Sequence, residues 1–193
     1  MPRTTGPSIF LTKRESGAVK MQARTLLREL QAKAHHQAGY AVASVYLGLR
    51  FRYVTLQKKN ETLGRLRLNG SKDGPASDTH CSANRCFRIR DPLHPIARFA
   101  GQLAERKFTG RRAPNPCDSD DQRIINEAFH CCWFSSRTTR AYLHYCWHAA
   151  EDFVRQGWRD VETVAARLLE MKVLREREVR EIVFQRRPAS ESK

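Results

Sequence analysis

The chain has 193 residues, of which 35 are Lys or Arg and 20 Asp or Glu, giving a formal net charge of +15 at pH 7 with 40% hydrophobic residues. This length fits one domain with a single buried core, and the charge favours encounters with nucleic acid, anionic surfaces or acidic partners without specifying any of them. No apolar run approaches the roughly 18 residues that a membrane-spanning helix needs; the longest, Ala41 to Leu49, is broken by Ser44 and Gly48.

Residues 1–15, rich in Pro, Thr, Gly and charge, are expected to form a flexible arm. From about Ala18 to Leu47, apolar residues at Leu26, Leu27, Leu30, Ala34 and Ala41 follow helical spacing. Arg50 to Leu56 switches to strand-like alternation, and Gly64 to Leu68 with a turn at Asn69-Gly70 is its expected hairpin partner. A mobile loop is expected over 70–86, followed by helices at about 93–107, 119–134, 136–156, 159–171 and 175–185. Asp118 or Ser119 and Ser135 or Ser136 supply helix caps, and Gly110 and Gly157 supply stops. The pattern predicts a mainly α (α+β) fold, a helical domain carrying a small β-hairpin or sheet. Its layout is an arm at 1–15, a domain at 16–187 with a variable insert at about 58–92, and a tail at 188–193.

Within the first helix lies His36-Gln37-Ala38-Gly39-Tyr40. In an H-E-x-x-H motif, residues four apart share a helix face, so both imidazoles reach one metal while the intervening Glu takes a proton from water. Here Gln37 occupies the position of the base without a carboxylate to serve as one, and Tyr40 puts a phenol where the second imidazole would be. Downstream, Ala100-Gly101-Gln102-Leu103-Ala104-Glu105 leads to Gly110, and Ser119-Asp120-Asp121 follows.

These strings, in this order, resemble the FtsH-type zinc peptidase domain, whose H-E-A-G-H-A-V, A-G-x-x-A-E-x-x-x-x-G and S-x-D motifs they match in part. The resemblance runs from about residue 30 to 185, including C-terminal helices similar to those of small stand-alone relatives. It implies a zincin-like helical fold, a third metal ligand at Asp121, and zinc as the cofactor. The family's ATPase motor is not represented: no G-x-x-x-x-G-K-[ST] occurs, and the stretch from Gly64 to Lys72 has the wrong spacing. With His36 and Asp121 retained and Tyr40 at the lost ligand position, zinc is expected to bind weakly or not at all.

The leading expectation is therefore a degenerate FtsH-like metallopeptidase domain, a pseudoprotease that binds protein or peptide without efficient hydrolysis, with a separate ATPase as a further class of partner. One alternative is an active zinc-dependent metalloendopeptidase with altered ligands, His36 and Asp121 joined by Tyr40 or His35. Another is a basic module associating non-specifically with nucleic acid, for which Trp133, Phe134, Trp147 and Trp158 offer stacking surfaces. A cytoplasmic location is expected, since no secretory signal precedes the domain.

A second histidine pair, His144-Tyr145-Cys146-Trp147-His148, has metal-ligand spacing, with His130, Cys131 and Cys132 about one helix earlier. Position i+1 is Tyr145, so no base accompanies the pair, and aromatic packing is the competing account. The six cysteines lack a C-x-x-C pair and are read as reduced thiols, although Cys81 and Cys86 flank a loop that could clip a metal or a disulfide.

Overall fold

The computed structural model describes residues 13–59, 62–68, 93–111, 122–132 and 134–185. In chain order the elements are α1 (Lys13–Tyr46), β1 (Phe51–Lys59), β2 (Thr62–Leu68), α2 (Leu93–Thr109), α3 (Gln122–Cys131), α4 (Ser136–Gln156), α5 (Trp158–Met171), β3 (Val173–Arg175) and α6 (Glu176–Gln185). The fold is mainly helical with one three-stranded antiparallel sheet.

Two environments divide α1. Residues 21–29 are exposed, including Met21, Leu26 and Leu27, whereas from Ala34 onward Ala38, Ala41, Val42, Ala43 and Val45 are buried in the main core. The helix starts at Lys13, inside the segment expected to be an arm. It stops where Gly48 takes φ +74, a left-handed conformation that glycine adopts without a Cβ clash. There Leu47, Gly48 and Leu49 donate their N–H groups to Ala43, Val45 and Ser44, so the last carbonyls of the helix are satisfied.

Strand β1 is central, in the order β2-β1-β3. Its hairpin with β2 aligns Val54 with Leu66 and Lys59 with Thr62. The predicted alternation is only partly kept: Phe51, Val54, Thr55 and Leu56 are all buried, and the register shifts between Thr55 and Lys58. Val54 and Thr55 are paired in unbroken register and so face opposite sides of the sheet; Thr55 is buried where its hydroxyl donates to the Lys172 carbonyl at 3.1 Å. The three-residue β3 was not anticipated, being too short for any periodicity to register. It completes the sheet by pairing Val54 with Leu174 and Thr55 with Val173.

The helices close around this sheet and the buried half of α1. Ser135 caps α4, its hydroxyl accepting from the Thr138 backbone N–H, and Gly157 links α4 to α5. Tyr46 donates to Asp160 of α5 at 2.7 Å, and Trp147 of α4 meets Phe99 of α2 edge-on at 5.2 Å. The expected caps at Asp118 and Ser119, the Asn69-Gly70 turn and the 70–86 loop lie outside the described residues. No helix among the described residues is long and apolar enough to cross a membrane.

Among the described glycines, the closest packing is at the crossing of α1 and α2. A Cβ placed on Gly39 would lie 2.6 Å from Ala104 Cβ and 2.7 Å from the Ala100 carbonyl oxygen. In an open helix, glycine to alanine gains about 1 kcal/mol of helix propensity. At this crossing the gain is outweighed by overpacking, which costs about 1–3 kcal/mol or more. The Gly39→Ala protein is expected to unfold in urea with a net loss of about 2 kcal/mol. Adding Ala104→Gly should restore only part of that loss, because the clash with the Ala100 carbonyl remains.

Candidate functional site

His36 and Tyr40 lie one turn apart on the face of α1 that meets α2, and both approach Gly101: a Cβ there would sit 3.4 Å from His36 Cδ2 and 3.3 Å from Tyr40 Cβ. A side chain at 101 would therefore press on both residues. Glycine leaves them room side by side.

The His36 ring is fixed by Glu105, whose Oε2 lies 2.8 Å from His36 Nδ1. An ionised carboxylate only accepts, so Nδ1 carries a proton and donates, and Nε2 is the ring nitrogen left for another partner. Lys33, one turn earlier on α1, reaches the same carboxylate, with Nζ 3.1 Å from Oε1 and 3.3 Å from Oε2. Partial burial pushes the Glu105 carboxyl upward, but the hydrogen bond and charge of His36, followed by those of Lys33, outweigh it and hold the group at about 2. Imidazoles that bind metals are commonly oriented by a carboxylate in this way, which frees the other nitrogen to face a ligand.

Gln37 is turned from this face toward the sheet. It is buried, and a Cβ on Gly64 of β2 would lie 3.1 Å from its Cγ and 3.2 Å from its Nε2. Strand β2 can pass this closely because residue 64 is glycine, here at φ +83. Gln37 Oε1 is buried without a hydrogen-bond partner. An orphaned neutral acceptor costs about 1–3 kcal/mol, and an ionised carboxylate in its place would cost more.

The donors described on this face are the Nε2 of His36 and the phenol of Tyr40. Asp121, the expected third ligand, and its neighbour Asp120 lie outside the described residues. Among those described, no three His, Cys, Asp or Glu side chains converge on a common point. This donor set, with an amide in the position of the base, does not match a three-ligand catalytic zinc centre.

His35 is not available as the alternative ligand. It is buried, its Nδ1 donates to the Gln31 carbonyl at 2.8 Å, and its ring stacks on Phe108 with centroids 4.0 Å apart and on Trp158 at 5.8 Å. About 100° of helical rotation separates it from His36, which directs it into the packing against α5. Of the aromatics considered for stacking on bases, Trp147 is buried in the core, Trp158 is half-buried with Lys107 4.3 Å over its ring, and Phe134 is exposed. The side chain of Trp133 lies outside the described residues. Cys132 and Cys146 are buried and form no disulfide with each other, while Cys81, Cys86 and Cys117 fall outside the described residues.

Sequence reasoning missed three participants: Glu105, which holds His36, Lys33, which pairs with Glu105, and Gly64, which covers Gln37. Glu105 could have been found, because it is the only carboxylate in the Ala100–Glu105 string. Gly64 carried no local signal, since its role comes from a contact between β2 and the distant helix α1.

A carboxyl with a depressed folded-state pKa contributes stability that is present above its unfolded value and lost as pH falls through the folded one. For Glu105 that window runs from 4.5 down to about 2. Glu105→Gln is expected to lower urea stability at pH 7 by about 2 kcal/mol, a figure discounted for the part of the side chain open to water. The gap between the two proteins should close on acidification toward pH 2, as read from paired unfolding curves.

Neither a protein-family model nor a curated protein sequence matches this chain, so the residues themselves carry its functional reading.

Proposed function

We propose that this chain is a degenerate FtsH-like peptidase domain that binds protein or peptide segments without hydrolysing them efficiently. The observation that carries the reading is the split fate of the motif residues. His36 keeps the carboxylate-held posture of a metal ligand, whereas Gln37, in the position of the base, is buried beneath Gly64 with an unmatched carbonyl oxygen.

Chemistry at such a centre needs an activated water, and activation needs a proton acceptor beside it. An amide is not one. A metal held by His36 with at most weak support from Tyr40 would also be bound far less tightly than one with three strong donors. The scaffold keeps a feature suited to binding: β2 is an outer strand, and among the described residues no strand pairs with its other edge. An extended peptide can add to such an edge through backbone hydrogen bonds.

The purified protein is expected to carry well under one zinc per chain by metal analysis and to leave casein intact. Stoichiometric zinc with chelator-sensitive cleavage would overturn the reading in favour of an active enzyme. The restored chain, Gln37→Glu with Tyr40→His, provides a second readout. It should melt below the wild type in EDTA, because a carboxylate replaces an amide whose buried oxygen already lacks a partner, and regain stability when zinc is added. Equal melting with and without zinc would argue that no third ligand stands beside His36.

A further inference from the structure

We infer that α4 carries a second, independent site, for a divalent first-row transition metal such as Zn²⁺ or Ni²⁺, formed by His144 and His148. The two residues are one turn apart, so their Cβ atoms project from the same strip of helix surface at a spacing both imidazoles can bridge. Cys146 and Trp147 between them are buried, which directs the histidine strip outward, and the His148 side chain is 70% exposed.

The arrangement around His148 is anchored to the core. Glu151 Oε2 lies 2.9 Å from His148 Nδ1, while Glu151 Oε1 accepts from the indole N–H of Trp147 at 3.0 Å. Trp147 is itself fixed against Phe99. The carboxylate therefore has a defined position, receives the Nδ1–H of His148, and leaves Nε2 of this exposed ring as the nitrogen for a metal. This is the carboxylate–imidazole arrangement found behind metal-ligating histidines.

The ring centroids of His144 and His148 are 6.4 Å apart, with a 31° angle between planes. Bringing both nitrogens onto one ion takes a side-chain rotation, and His144 has room for it because it lines an open hollow with Ser136, Arg137, Arg140 and Ala141. Side-chain rotations at exposed positions are fast and cost little. Arg140, one turn before His144, opposes a cation there, while Glu151 beyond His148 offsets it. With two imidazoles and no third converging donor among the described residues, the site is open, its remaining positions filled by water or by a donor from a partner.

The test uses the untagged full chain carrying His36→Ala, so that the α1–α2 face contributes nothing. Zn²⁺ is titrated calorimetrically, with circular dichroism confirming the fold. A two-donor site should bind on the order of 10 µM, between a bare surface and a four-donor structural site. His148→Ala or His144→Gln should weaken this binding at least about tenfold, and Glu151→Gln by roughly tenfold through loss of ring orientation. Retention on a Zn²⁺-chelate resin should fall in the same order. Affinity unchanged in the His144→Ala/His148→Ala chain would overturn the inference, as would zinc uptake that His36→Ala alone abolishes. The latter result would leave the reading of the α1–α2 face standing.

Discussion

The close crossing of α1 and α2 is the constraint on which the rest of the structure depends. Gly39 lets the two helices approach until backbone meets backbone, and Gly101 leaves space for His36 and Tyr40 on the same seam. Only at that separation does Glu105 reach the His36 ring and the Lys33 ammonium together. Small residues at a helix crossing are usually a packing device, trading side-chain burial for proximity. Here proximity also sets which nitrogen of a histidine holds the proton. Packing and chemistry share the same few residues.

The opposite side of α1 is governed by the sheet. Gln37 projects toward β2, whose glycine passes over the amide at contact distance. Two neighbouring positions of one helix thus have unlike surroundings: His36 is in a polar seam with access to solvent, and Gln37 is buried against β2 with its carbonyl oxygen unmatched. A residue ionised in the first setting would be penalised in the second. The amide at 37 suits the pocket that surrounds it.

Much of the architecture is legible in the sequence, because helix periodicity, a serine cap and glycine stops are local signals. Leu30, Ala34 and Ala41 mark α1, Ser135 starts α4, and Gly110 and Gly157 follow helix ends. What escapes is non-local. The strand at Val173–Arg175 owes its conformation to β1, more than a hundred positions earlier, and the burial of Thr55 next to buried Val54 comes with the flank that the same distant segment supplies, where the Thr55 hydroxyl donates to the Lys172 carbonyl. The site divides in the same way: His36, Gln37 and Tyr40 are visible from spacing alone, while the partners that define them arrive from α2 and β2. His35 shows the converse, a histidine beside the motif whose helical phase commits it to an aromatic stack.

The short strand β3 has a consequence for how the molecule is assembled. Lys172 presents its carbonyl to Leu56 and Thr55, and Glu176, just past the strand, accepts from the Phe51 amide and pairs with Arg50 and Arg180. The central strand therefore lacks one flank until the chain has been synthesised past residue 176. During translation the β1–β2 hairpin stands with both edges unpaired while four helices' worth of sequence passes, a long interval of exposure for a strand pair with a buried apolar face. Closure of the sheet becomes the late event that joins the two ends of the domain, and a nascent chain stalled before that point would present its strand edges to chaperones or to other copies of itself.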